Sequence, residues 1–497
     1  MNTPSDTSRS SSDRSPWIAP LLVIGFAALY AFTAQRGVSW GDSGLFQRRI
    51  LDGDLVGNSG LALAHPLFVW TTGFIARLLP PSARIWLMNA ICGVWGALAV
   101  GMACLCARRL ARSASAAVLA ALTLGCSHMF WWLSTMSEVY TLSVFLLACE
   151  TYALLAAIQD RRPWLMVAVF LANGLHFSDH NFALLTLPVE IFALGWLVRR
   201  SPRAAWPVPR VFGLSLAALA AWSVGALPMI LLACARANQL GSLGATVLDV
   251  LVGNYGAAVV GNLGVPFRVT LFNYALAGMS FVLPCWLLAA RRLFALGKKR
   301  PLGRISPETF FLAAFFLIHF LFWVRYRVAD QATFLLPTLF LAVLLAAPAF
   351  ASARRPLVWG LATLVLAVGV PGLVSGGLSS CAGQLLKARG QLPFRDDLSY
   401  FALPWKHNET SAARFAAAAA QELPRGALLY VDSVTGGPLA CAQRLGILPS
   451  DIQLSRDGRP AVPPSSRWEV RPFPRYRLSP PEATIVRRGT FYEVILP

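Results

Sequence analysis

The chain has 497 residues, 56% of them hydrophobic and 13% charged, with a mean hydropathy of +0.58. Soluble domains carry about 25% charged residues, so a soluble globular chain is excluded, and many apolar runs near the ~20 residues of a spanning helix point to a bilayer. The formal charge of +20 does not indicate nucleic acid, because the basic residues gather in short loops between apolar runs, as the positive-inside rule expects, with no aromatic–basic RNA-binding pattern.

In chain order, residues 1–16 are Ser-rich and polar, and are expected to form a disordered cytoplasmic tail. The run from Trp17 ends on Ala31-Phe32-Thr33-Ala34, a poor cleavage site, and so reads as an uncleaved first span. Further spans are expected near 84–107, 115–134, 139–158, 164–179, 182–198, 211–233, 268–290, 308–324, 332–350 and 356–376, about 11 in all within a transmembrane domain over 17–378. The segment 66–79 is apolar but short, and is expected to be re-entrant or interfacial; if it spans, every later orientation flips.

Loop charges choose between those topologies. With the N-terminus cytoplasmic, the inside segments hold Arg9 and Arg14, Arg108, Arg109 and Arg112, Arg161 and Arg162, the cluster Arg199 to Arg210, that from Arg291 to Arg304, and Arg354 with Arg355. The loops near 135–138, 177–181 and 325–331 then fall outside, with only Arg325 and Arg327 among them. Residues 379–497 also fall outside. They read as a small periplasmic α/β domain: a helix Ser411–Leu423, a strand Ala427–Val431, a helix Pro438–Leu445 after a Gly-Gly turn, and a hairpin of Ala483–Val486 with Phe491–Leu496. Seven of the nine cysteines lie in apolar runs as small hydrophobes. Cys381 and Cys441 lie beyond the bilayer, where a disulfide and two free thiols are equally open readings. The expected location is a bacterial inner membrane, crossed many times, with the active side periplasmic.

Polar residues beside the outer ends of spans are the functional candidates, since ionisable groups at membrane depth are costly. Asp42, in Gly41-Asp42-Ser43-Gly44, follows the first span and is placed to take a proton from an acceptor hydroxyl; the alternative is that Asp42 or Ser43 caps a short helix through Arg49. Asp52-Gly53-Asp54 reads as a turn more readily than as a divalent-cation site, and no metal or other cofactor is assigned. His65, before Pro66, lies on the same side as Asp42. Glu138, in Ser137-Glu138-Val139-Tyr140, is a second catalytic candidate or a helix N-terminal acid. The aromatic run Phe130-Trp131-Trp132 fits an interfacial belt better than a sugar platform. His176 and His180 stand at i and i+4 with Asp179 beside the second, a spacing that can ligate zinc but here reads as a polar wall of the outer cavity. Arg325 and Arg327, with Arg48 and Arg49, are candidates for binding a phosphate leaving group, for which arginine offers a bidentate fork, and Asp330 beside them is a further substrate-binding candidate; the alternative is that these arginines anchor at headgroups.

The order of these motifs resembles a known family. Gly41-Asp42-Ser43-Gly44, His65-Pro66, Trp131-Trp132 to Ser137-Glu138-Val139-Tyr140, Gly174-Leu175 to His180, and Asp330 to Phe334-Leu335-Leu336-Pro337 follow the pattern of the bacterial membrane family catalogued as domain of unknown function 2723. That family is similar to protein O-mannosyltransferases and is placed among GT-C-fold glycosyltransferases. The resemblance covers about 17–350. It implies a polyprenyl-phosphate sugar donor, a periplasmic protein or glycan acceptor, and Asp42 as base. Many relatives carry Glu where this chain has Leu45, and a longer His-Pro-Pro-Gly run where it has His65-Pro66-Leu67. A transporter or flippase of lipid-linked sugars, and a non-catalytic assembly partner, are the rival readings.

Overall fold

The structure, a computed structural model, describes residues 16–200, 206–255, 265–297, 305–377, 392–457, 459–470 and 477–496. It opens with α1 (Ile18–Thr33), α2 (Gly41–Asp52), α3 (Pro66–Arg77), α4 (Pro81–Ala111), α5 (Ala114–Gly125), α6 (His128–Leu133) and α7 (Tyr140–Gln159). Then come α8 (Met166–Asp179), α9 (Ala183–Arg200), α10 (Val208–Gly225), α11 (Leu227–Leu240), α12 (Leu243–Leu251), α13 (Phe267–Gly278), α14 (Cys285–Gly297), α15 (Pro307–Arg325), α16 (Leu336–Phe350) and α17 (Pro356–Gly377). The chain is a multi-pass helical membrane protein. Among the described residues, 6 helices are long and apolar enough to cross a bilayer: α4, α7, α10, α15, the run Gln331–Phe350 that ends in α16, and α17. The count is 7 if the bent pair of α13 and α14 is one span.

Eleven spans were expected, and the difference has local causes. The apolar run 115–134 breaks at Cys126 and Ser127 into α5 and α6, and 211–233 breaks at Ala226 between α10 and α11. The run 268–290 turns through 92° between α13 and α14. Helix α9 carries Pro188, a buried Glu190 and two terminal arginines, and α8 has only 14 residues. Segment 66–79 becomes α3, 12 residues long. At 1.5 Å per residue it reaches only about 18 Å, short of the ~30 Å core, as expected for a segment that does not span. Trp70, Phe74 and Leu78 along it are exposed.

Small residues set the closest helix contacts. A methyl group at Gly174 of α8 would lie 2.2 Å from the Trp222 carbonyl oxygen of α10, and one at Gly225 would lie 2.5 Å from that of Leu171. Close backbone approach through small residues is how helices associate where lipid removes the hydrophobic drive.

The segment after α17 contains α18 (Asp397–Ala402), α19 (Ser411–Glu422), β1 (Leu428–Tyr430), α20 (Ser433–Arg444), β2 (Gln453–Ser455), β3 (Arg467–Glu469), β4 (Thr484–Arg488) and β5 (Phe491–Ile495). The sheet order is β2-β1-β3-β5-β4; β1 is parallel to both neighbours, and β5 is antiparallel to β3 and β4. The hairpin turns at Gly489, φ +64°. The helix expected from Pro438 begins earlier, at Ser433. There Asp432 accepts from the Thr435 backbone N–H at 2.7 Å while the Thr435 hydroxyl accepts from that of Asp432 at 3.1 Å, a capping box.

This segment is built onto the first loop. The Lys406 N–H donates to the Thr33 carbonyl at 2.7 Å, Trp40 Nε1 donates to Ser411 Oγ at 2.7 Å, and the Trp40 and Phe415 rings lie 5.1 Å apart. Trp131 and Trp132 are buried, against Trp405, Tyr400 and Phe401. They are therefore neither an interfacial belt nor a sugar platform but the seat of the C-terminal segment. The expected tail lies outside the described residues but for Pro16, and so does Cys381 of the candidate disulfide; Cys441 is buried on α20.

Candidate functional site

The site grows from α2. Its N-cap is Trp40, and neither Asp42 nor Ser43 caps the helix. The Asp42 carboxylate is thus not spent on the backbone, and opens into a cavity of about 300 Å³, at the lower end of the ~300–1,000 Å³ range of small-molecule sites. Along α2 the lining positions are Asp42, Leu45, Phe46 and Arg49, the i, i+3, i+4, i+7 face of a helix.

Four distant segments complete the walls. The loop before α3 contributes His65; the turn before α7 and its first residue contribute Glu138 and Tyr140; the end of α8 contributes His180, followed by Phe182; and the α15–α16 connection contributes Tyr326, Asp330 and Phe334. Of the site residues expected from sequence, Asp42, His65, Glu138, His180 and Asp330 therefore meet, together with Arg49. An aromatic wall closes one side, with Tyr326 and Phe334 rings 4.9 Å apart, Tyr140 and Phe334 5.5 Å apart, and His180 stacked on Phe182 at 3.9 Å.

The acids are not alike. Asp42 is reachable from the cavity, yet the surrounding protein displaces enough water to raise its carboxyl above the ordinary value, with Arg456 opposing the shift. Glu138 is buried. Desolvation raises its carboxyl further, the negative charge of Asp42 adds to that, and the Ser43 hydroxyl, which donates to Glu138 Oε1, works against it. Each of the two neighbouring carboxyls thus disfavours ionisation of the other.

The basic groups are also fixed in role. His65 Nδ1 donates to the Asp179 carbonyl at 2.5 Å, which leaves its Nε2 as an acceptor. Burial pulls the pKa of its imidazolium down to about 4, so the ring is neutral at ordinary pH. Arg49 donates to the carbonyls of Asp54 (3.2 Å), Leu63 (3.1 Å), Leu55 (3.1 Å) and Ala64 (2.5 Å), and burial lowers its guanidinium to about 10. Arg49 therefore folds the first loop back beneath His65.

The other expected residues lie elsewhere. Arg48, one position from Arg49 but on another face of α2, pairs with Asp52 at 3.2 Å and Asp54 at 3.4 Å. Asp54 also accepts from the Gly57 N–H at 2.8 Å, so the Asp52–Asp54 doublet is a turn held by arginine. Asp179 is buried behind the cavity wall and touches it through its backbone carbonyl. Arg325 lines an adjoining shallow recess that shares Leu185, Phe322 and Tyr326 with the cavity, and Arg327 is exposed and lines neither. His176 and His180 diverge, because α8 ends at Asp179 and His180 is extended. The His176 ring instead meets Glu150 and Ser143, each at 2.7 Å. Among the described residues no three His, Cys, Asp or Glu side chains are grouped to hold a metal ion.

Of the two arginines that the sequence offers on α2, Arg49 lines the cavity, in helical phase with Asp42; sequence reading missed Tyr140, Tyr326 and Phe334 as wall residues. The aromatic residues carry no local signal, since nothing in the chain separates a wall aromatic from a core one.

Residues 61–203 match the family model described as the protein O-mannosyl-transferase TMEM260 N-terminal domain. This names protein O-mannosyltransferases, as the motif order implied. No curated protein matches in sequence. Among solved structures the chain is similar to ArnT from Cupriavidus metallidurans bound to undecaprenyl phosphate, with a TM-score of 0.60, 16% identity, and coverage of 97% of this chain and 98% of that one. The apo state of the same protein gives a TM-score of 0.56 at 14% identity, covering 96% and 97%. The chain therefore has the GT-C fold over nearly its whole length.

Proposed function

We propose that this chain is a membrane glycosyltransferase that moves a sugar from a polyprenyl-phosphate donor to a hydroxyl of a periplasmic protein or glycan, in a bacterial inner membrane, with Asp42 as general base. The observation that carries this reading is an uncapped, cavity-facing Asp42 beside a buried Glu138 and opposite Asp330, on a GT-C scaffold. The solved relative of that fold binds a polyprenyl phosphate, the lipid class of the donor proposed here.

In the reaction the acceptor hydroxyl gives its proton to the Asp42 carboxylate as its oxygen attacks the anomeric carbon. The bond from that carbon to the phosphate oxygen breaks, and the lipid phosphate leaves with the electron pair, inverting the carbon. The raised Asp42 carboxyl brings the base nearer to operating pH, where general bases act best. Glu138, held protonated, keeps a second negative charge out of the cavity and orients α2 through Ser43. His65 Nε2 and His180 offer neutral partners to sugar hydroxyls, and the aromatic wall offers apolar faces. Arg325, at the adjoining recess, and Arg327, two residues on, are assigned to the departing phosphate, whose geometry suits arginine.

The test is purified protein in lipid with a polyprenyl-phosphate sugar and candidate acceptors. Wild type is expected to form glycosyl product, and Asp42→Asn to lower the rate by roughly 10²–10⁴-fold with donor binding retained. Transfer by Asp42→Asn at the wild-type rate overturns the base. Movement of the lipid without product in wild type supports the flippase reading instead.

A further inference from the structure

The helix that bears Asp42 is packed against one from the opposite end of the chain. A methyl group at Gly44 of α2 would lie 2.9 Å from the Pro438 nitrogen of α20, and one at Gly437 would lie 2.5 Å from the Gly41 carbonyl oxygen and 2.9 Å from the Leu45 nitrogen. Those are backbone atoms, so nothing there can swing aside. About two turns further along each helix, Arg444 Nε meets Asp52 at 2.7 Å. The two helices thus run side by side in the same direction, touching backbone to backbone beside Asp42 and clasped by an ion pair at the far end.

We propose that α20 is a positioning element of the active site, and that Gly437 sets where α2 presents Asp42 to the cavity. This rests on the glycosyltransferase reading of that cavity. Gly41, whose carbonyl Gly437 touches, is the residue before Asp42, and Ser43, the residue after it, donates to Glu138. A displacement of α2 at this crossing therefore moves the base and its neighbouring acid relative to each other. The same segment also brings up a charge: Arg456, which follows β2, opposes the rise of the Asp42 carboxyl. Positioning at this precision matters, because a misplacement of about 1 Å can cost about 10²-fold in rate.

Gly436 is the internal control. It precedes Gly437 in the same helix, but a methyl group there would meet only the end of the Val431 side chain, at 3.3 Å. Both Gly→Ala changes favour the helix equally, so a difference between them reports the crossing. Gly437→Ala is expected to lower kcat by roughly 10–100-fold with little change in KM for the donor, while Gly436→Ala stays near wild type. A second readout needs no substrate: carbodiimide labelling of Asp42 against pH, followed by peptide mass analysis. Its midpoint is expected to move in Gly437→Ala and not in Gly436→Ala. Arg444→Gln, a surface change that opens the far clasp, is expected to move it in the same sense, with Arg444→Lys restoring it, and serves where Gly437→Ala does not accumulate. Unmoved midpoints in Gly437→Ala, or in Arg444→Gln where it serves, overturn the proposal, as does equal loss in Gly436→Ala. If wild type transfers no sugar, the glycosyltransferase reading fails, while the labelling still decides whether α20 positions Asp42.

Discussion

One residue of offset separates Arg48 from Arg49, and it reverses their roles. Arg48 points to a carboxylate pair, whereas Arg49 turns inward and ties four carbonyls of the first loop. Arg49→Met, which keeps bulk and removes every donor, should cost roughly 3 kcal/mol or more, since each buried acceptor left unpaired costs about 1–3 kcal/mol; chemical or thermal unfolding of the purified protein checks this. Asp42 and His65 give opposing pH effects. The Asp42 carboxyl lies higher in the folded chain than in the unfolded one. Its contribution to stability is therefore complete below the ordinary value of 3.8 and is lost as pH rises through the raised value. Transfer needs the ionised form, so kcat should fall on the acid side, with a midpoint above the ordinary carboxylate range. His65 is shifted the other way, from 6.5 to about 4. Its contribution is present above 6.5 and is lost as pH falls from there toward 4. A pH series of kcat together with unfolding midpoints separates the two, and an acid limb at the ordinary carboxylate value would remove the desolvated base from the mechanism.

Helix α3 bears on the topology that the loop charges left conditional. At 12 residues it is short for a crossing, so positions before it and after it are expected to share a side. Single cysteines at Asn58 and Ser82 are expected to react with the same membrane-impermeant reagent from the same face, as are cysteines beside Glu138, His180 and Asp330. Opposite labelling of positions 58 and 82 would mean that α3 spans. The breaks in the other apolar runs are not defects of this arrangement. The α5–α6 break allows His128 Nε2 to reach the Ala402 carbonyl at 3.0 Å, and the start of α6 receives Ser280 Oγ at 3.1 Å on the Met129 N–H. Backbone freed from a helix at membrane depth must find such partners inside the protein.

Across the whole molecule one apolar core runs from the helical bundle into the C-terminal segment, joining Trp40, Phe415, Leu439 and Trp468 with the spans. The C-terminal α/β segment is thus not a module attached by a tether. Trp40→Ala should cost about 3–5 kcal/mol, as for large aromatic truncations in a core, and should loosen both ends of the chain together. Limited proteolysis of that variant is expected to cut within 34–60 and within 406–444 in parallel. Cleavage confined to one of the two would show that they fold separately.

Composition was enough to establish the membrane class, because it is set by transfer free energies that act on each residue alone. Local chemistry also showed through: the strand at Leu428–Tyr430, the helix over Ser411–Glu422 and the hairpin at Gly489 follow from propensity and turn geometry. Asp42, His65, Glu138, His180 and Asp330 were legible as candidates because a polar group beside an apolar run is expensive. What tertiary structure alone decided was which partners they meet. The breaks in three apolar runs, the seating of Trp131 and Trp132 beneath the C-terminal segment, and the Gly44–Gly437 crossing join residues tens to hundreds of positions apart. Such contacts depend on shape complementarity between surfaces that exist only after the helices have packed, and no periodicity or spacing along the chain records it.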